Sequence, residues 1–157
     1  MRLRPIHLLI AAVAFGCAPP AETPIDREAD RAAIEEILRA ASASNQNRDV
    51  EAFLRNLTED AIFMNPDAPA IEGKAAIRTF ITQRFSEFDP QLTISPVEIV
   101  IDHDLAFSRT HGTGFEVNLA TGDTVTIDWK EIAIFRRQPD GSWLVSRLIG
   151  NSNFPMN

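Results

Sequence analysis

The sequence predicts an α+β domain, with helices covering one face of a curved antiparallel sheet. Two observations carry this. Apolar residues recur at helical spacing from Asp26 to Phe88, and from Leu92 onward long alternating stretches are separated by tight-turn signals. A chain of 157 residues is enough for one such domain. No internal repeat or low-complexity tract interrupts it.

The elements follow in order. From Asp26 to about Asn45, Ile34, Ile37, Leu38 and Ala41 fall at i, i+3, i+4 and i+7, the stripe of one helix. Asp26, Glu28 and Asp30 occupy its first turns, where the helix dipole favours acids. Asn45-Gln46-Asn47 ends it. Asp49 is the predicted N-cap of a short second helix carrying Val50, Phe53, Leu54 and Leu57. Ala61-Ile62-Phe63-Met64 reads as a short strand closed by Asn65-Pro66-Asp67-Ala68-Pro69. A third helix spans about Lys74 to Phe88, with Ile77, Phe80, Ile81 and Phe85 on one side. Strands are expected over Leu92–Ile101, Leu105–Asn118, Thr124–Arg137 and Ser142–Asn151. The turns between them are Asp102-His103-Asp104, Ala120-Thr121-Gly122-Asp123 and Pro139-Asp140-Gly141, short enough to make neighbours antiparallel.

Composition narrows the function. The net charge of −7 repels a phosphate backbone, so nucleic acid is not an expected partner. A single Cys excludes both an internal disulfide and a Cys-based zinc cluster. The absence of Tyr removes one class of catalytic acid. Asp102-His103-Asp104 has the residue types of a metal site, but such residues populate tight turns for backbone reasons. No metal or cofactor is implied.

The first residues read as an address. Arg2 and Arg4 precede an apolar run from Ile6 to Phe15, too short to span a bilayer, which takes about 20 residues. The run stops at Cys17, followed by the Pro-rich Ala18–Pro24. This resembles a bacterial lipoprotein signal: residues 1–16 a signal peptide, Cys17 the lipidated residue, 17–25 a tether and 26–157 the domain. It implies a membrane partner through the lipid anchor and a place in the cell envelope, on the outer membrane or the periplasmic face. An ordinary cleaved signal with a stray Cys is the alternative.

Alternation assigns the faces of the sheet. In Leu105–Val117 the odd positions hold the large apolar residues, so that row is expected to meet the helices, with Phe107, Arg109 and His111 in it. Val125, Ile127, Trp129, Glu131, Ala133 and Phe135 form the comparable row of the next strand; Trp143, Val145, Arg147 and Ile149 that of the last. Phe63, Asn65, Phe107, Arg109, His111, Trp129, Glu131 and Arg147 are therefore expected around one cavity, with Asn151 at its rim. A buried Glu must be paired, so Glu131 is expected to touch an Arg. Two Arg and one Glu make this patch net positive, suited to a ligand with a carboxylate or carbonyl. His111 beside them is expected to be neutral and able to accept a proton.

The segments Asp49-Val50-Glu51-Ala52-Phe53-Leu54, Asp60–Pro66, Glu72–Ile77 and Asp140-Gly141-Ser142-Trp143-Leu144-Val145 resemble the ketosteroid-isomerase-like, or nuclear transport factor 2-like, superfamily that includes SnoaL-like proteins. The resemblance covers about residues 28–154 and implies a cone-shaped α+β barrel with an apolar pocket, three N-terminal helices on a curved antiparallel sheet, and a homodimer. It identifies fold better than chemistry. The family's isomerase base corresponds to Asn65, its oxyanion Tyr is missing and its second acid falls at Ala133, so isomerase activity is not expected. Phe63-x-Asn65, Arg109-x-His111 and Glu131 resemble the water-activating residues of limonene-epoxide hydrolase, with Phe for Tyr and His for an acid. Two functions stay open: a module binding a small, largely apolar ligand, and an acid–base enzyme of the epoxide hydrolase or polyketide cyclase type using Asn65, Arg109, His111 and Glu131.

Overall fold

The computed structural model describes residues 26–154; the signal and tether expected over 1–25, Cys17 included, lie outside the described residues. The elements run α1 (Arg27–Gln46), α2 (Val50–Arg55), β1 (Leu57–Met64), β2 (Ile71–Glu72), α3 (Lys74–Glu87), β3 (Phe88–Asp102), β4 (Leu105–Asn118), β5 (Thr124–Arg137) and β6 (Trp143–Ser152). This is the expected α+β order, with β2 as an addition and β1 and β3 extended toward their N-terminal ends. Asp49 caps α2 as expected, and Asp26, expected in the first turn of α1, is its N-cap. Asp26 accepts from the backbone N–H of Glu28 and Ala29, and Asp49 from that of Ala52.

The six strands form one sheet in the order β2-β1-β6-β5-β4-β3. β3 to β6 are an antiparallel meander, as the short turns require, but β1 runs parallel to β6. The two are far apart in sequence, so no hairpin constrains their direction. The sheet is mixed and is not closed into a barrel; β2 and β3 are its edges.

The core lies between helices and sheet. Ile34 and Leu38 of α1, Leu54 of α2, and Ile77, Ile81 and Phe85 of α3 meet Ala61 and Phe63 of β1, Ala133 and Phe135 of β5, and Val145 of β6. One polar cluster is buried among them. Asp30 receives Arg137 Nη1 and Nη2 at 2.8 and 2.5 Å and the Trp143 indole N–H at 3.0 Å. Arg137 also lies over the Trp143 ring at 4.3 Å. Asp30 thus pins the start of α1 to the far ends of β5 and β6, beyond the dipole role its position suggests.

The face assignment of β4 is corrected. Its buried residues are the even ones, the small Ala106, Ser108, Thr110 and Gly112 together with Glu116, while Leu105, Phe107, Arg109, His111 and Phe115 are exposed on the outer face. The register explains it: Thr110 pairs with Glu131 and Gly112 with Trp129, so even positions of β4 share a face with odd positions of β5. The β4–β5 turn sets that parity. On β6 an irregularity between Ile134 and Phe135 has the same effect: Val145 and Leu148 point inward, whereas Arg147 pairs with Ile134 on the outer side.

Candidate functional site

A cavity of about 600 Å³ opens between the inner face of β5 and β6 and the three helices. Small inner residues make the space. Ala133 and Gly150 stand where larger side chains would fill it, and the Trp129 indole lies over Gly112, where a Cβ would come within 1.8 Å of Nε1. Phe63 of β1 packs edge-to-face on Phe53 of α2, ring centres 5.9 Å apart, and both border the cavity.

Of the residues expected around one cavity, Phe63, Asn65, Trp129, Glu131 and Asn151 line it, with exposed Asn151 at its rim. Phe107, Arg109, His111 and Arg147 do not: all four belong to the outer side of the sheet. Arg109 faces Glu98 across β3 at 3.4 Å, Arg147 donates to the Asp60 carbonyl at 3.2 Å, and His111 Nε2 lies 2.8 Å from Asp128. The expected net-positive patch is therefore not assembled, and His111 stands beside Asp128 rather than beside two Arg.

Glu131 has the most unusual surroundings. It is 8% exposed, on the inner face between Thr110 and Gly150. Its hydrogen-bond partner among the described residues is Thr110 Oγ1, at a long 3.4 Å. The expected Arg is not there. Burial without a counter-charge pushes its carboxyl up to about 7, slightly opposed by Thr110. A carboxyl raised this far toward neutrality is suited to both donating and accepting a proton. Two other inner-face atoms, Trp129 Nε1 and Ser108 Oγ, are buried without hydrogen-bond partners among the described residues.

Two further cavity residues escape a sequence reading. Asn45, legible only as a helix terminator, is buried at the cavity wall, its amide donating to the Ala41 carbonyl at 2.9 Å. Arg84 of α3 also borders the cavity, bound to the buried carboxylate of Glu116. At the mouth, Asn153 and then His111 hydrogen-bond Asp128 and hold its carboxyl below the usual range. Among the described residues no three His, Cys, Asp or Glu gather as a metal would require.

A model of the SnoaL-like domain family matches residues 26–145. No curated protein matches. Solved structures do. A ketosteroid isomerase-like protein from Erwinia carotovora atroseptica is 27% identical, covering 79% of this chain and 96% of its own, with a TM-score of 0.73. A putative dehydratase of the NTF2-like family from Streptomyces avermitilis is 14% identical over 82% and 99% of the two chains, TM-score 0.72. The hexachlorocyclohexane dehydrochlorinase LinA-type3 from Novosphingobium barchaimii is 16% identical over 82% and 90%, TM-score 0.70. At such identities the last two speak for the fold alone.

Proposed function

The chain belongs to the SnoaL-like domain family, and on that premise we propose that it binds a small, largely apolar molecule in its inner cavity, with Glu131 as the central polar anchor. The single observation behind this reading is the cavity itself: about 600 Å³, walled chiefly by Phe, Ile, Leu and Ala side chains, with one buried carboxyl on its floor. Its size is typical of sites that enclose a small organic ligand. The lipid tether at Cys17 belongs to the same reading, on the strength of the signal-like N-terminus, and would hold the domain at the envelope.

The second reading, an acid–base enzyme, is favoured by one observation, the near-neutral titration of Glu131. Its residue set is thinner than the sequence implied. Asn65 and Glu131 share the cavity, whereas Arg109 and His111 stand outside it.

Mass spectrometry of the purified mature domain under native conditions tests the binding reading, paired with titration of the neutral dye Nile red. A bound small molecule, or dye uptake that quenches Trp129, is expected. Ala133→Trp, which fills the cavity floor, should abolish both while the far-ultraviolet spectrum is kept. No retained mass and no dye uptake by the wild type would refute the reading.

The outer face of the sheet carries a second part of the proposal. Val100, Phe107 and Ile134 form one cross-strand row; Ile132 and Ile149 belong to the next, beside the Arg109–Glu98 pair. Phe107, Ile132 and Ile149 are each more than a third exposed. An apolar centre with charges of both signs around it suits a second copy of the chain related by a two-fold axis. Light scattering at micromolar concentration should give the mass of a dimer, and Ile132→Glu that of a monomer. A monomeric wild type would refute the assembly and leave the pocket untouched.

A further inference from the structure

The charges around the cavity say more about the ligand than its volume does. Among the described residues three charged side chains border it: Arg84, Asp128 and Glu131. Arg84 is neutralised by Glu116 behind it, and Asp128 is engaged at the mouth by His111 and Asn153. Among the described residues Glu131 has no cationic partner; Thr110 Oγ1 is its hydrogen-bond partner. The cavity that Glu131 faces is also bordered by aromatic side chains, Phe53, Phe63, Phe80, Trp129 and Phe154, among the aliphatic ones.

A lone buried carboxyl in such a place meets three kinds of ligand differently. A carboxylate would bring a further negative charge to a cavity that already holds Glu131 and Asp128, with no free guanidinium among the described residues to accept it, and like charges in a poorly solvated site repel strongly. An alcohol or ketone can be held only by the protonated form, through one hydrogen bond. An ammonium supplies what the site lacks: a charge-assisted hydrogen bond to the ionised carboxyl and, for its remaining surface, the faces of aromatic rings, which attract cations. The net charge of −7 attracts a cation from solution as well.

We propose that the ligand is a hydrophobic amine, bound as its ammonium with the cation on Glu131 and its apolar body against the Phe and Trp side chains. This rests on the binding reading above and reverses the polarity expected from the sequence, where Arg109 and Arg147 made the patch positive. Both face away from the cavity.

Displacement of Nile red by three compounds of one shape tests it: 1-adamantanemethylamine, 1-adamantanemethanol and 1-adamantanecarboxylic acid. The amine should displace the dye at the lowest concentration, by about tenfold over the alcohol, the ratio that ~1.4 kcal/mol confers, and the acid should be weakest. Glu131→Gln should erase the amine's advantage. Glu98→Gln, which removes the same charge from the outer face, should leave it intact. An alcohol or acid that binds the wild type as well as the amine overturns the proposal but leaves a ligand pocket standing. So does an amine preference unchanged in Glu131→Gln, because the attraction then comes from the overall charge. If neither the dye nor any of the three binds, the pocket reading fails with it.

Discussion

Asp30→Ala is expected to lower the unfolding free energy by about 3 kcal/mol, in the range for breaking a buried ion pair by removing one partner. The mechanism is what stays behind. Arg137 would keep a contact at 3.5 Å to exposed Asp104 but lose its bidentate carboxylate. The Trp143 N–H, which donates to the same oxygen, would be left buried without an acceptor. Urea unfolding followed by far-ultraviolet circular dichroism measures the loss. Replacing Asp30 and Arg137 together by Leu and Met should cost less than Asp30→Ala alone, because no charge is then stranded. A single substitution that costs under about 1 kcal/mol, the range of an exposed pair, would contradict this account. The linkage with pH has a definite sign. Hydrogen bonding from Arg137 first, then Trp143, against the opposing effect of burial, holds the Asp30 carboxyl below its ordinary 3.8. Its contribution is therefore fully present above that value and is lost as pH falls through the lowered one.

What the sequence shows and hides divides along physical lines. Helix positions were legible because spacing and caps are local: Ile34, Leu38, Ile77 and Ile81 are buried where the helical stripes put them, and Asp49 caps α2 as its position implies. Strand extents were legible for the meander where turn residues punctuate it, but not at the start of β3, which continues directly from α3 at Phe88. The parallel pairing of β1 with β6 was not, since no local signal links Phe63 to Leu148 across the chain. The faces of β4 were misjudged for a related reason. Alternation shows that two faces differ, but only the register across the β4–β5 turn decides which one meets the helices. Size misled as well. Phe107 and Phe115 have the look of core residues, yet the inner face needed Gly112 to admit Trp129 and small neighbours to leave a cavity. One misassigned face displaced Phe107, Arg109 and His111 from the site together, and the β5–β6 irregularity displaced Arg147. Phe63, Asn65, Trp129 and Glu131, on strands whose faces were read correctly or at a strand end, do share the cavity.

Glu131→Gln is expected to stabilise the fold at alkaline pH by about 3 kcal/mol and to have little effect near pH 4. Had Glu131 paired with an Arg, as the sequence implied, the same substitution would weaken the fold. The size follows from linkage: a carboxyl raised from 4.5 to about 7 differs by two to three units between unfolded and folded chains, at about 1.4 kcal/mol per unit. The sign comes from proton counting. Below 4.5 both states hold the proton and the group contributes nothing. Between 4.5 and about 7 the unfolded chain has released it while the folded chain retains it, so stability falls as pH rises. Above about 7 the folded chain carries an ionised, unpaired carboxylate and the full penalty applies. The quantity to measure is the wild-type-to-Gln difference in urea unfolding free energy at pH 5 and at pH 8.5, because subtraction cancels acid-linked groups such as Asp30. A gain that grows with pH is expected; a pH-independent difference, or a loss at pH 8.5, would show that Glu131 has a counter-charge after all. The penalty also bears on function. A destabilising charge kept on the floor of an apolar cavity is relieved by whatever ligand bonds to it. A ligand that pairs with Glu131 should therefore stabilise the wild type more at pH 8.5 than at pH 5 if it is a cation, and the reverse if it is a neutral acceptor that needs the protonated acid. The pH dependence of ligand-induced stabilisation thus reports which form of Glu131 the bound state uses.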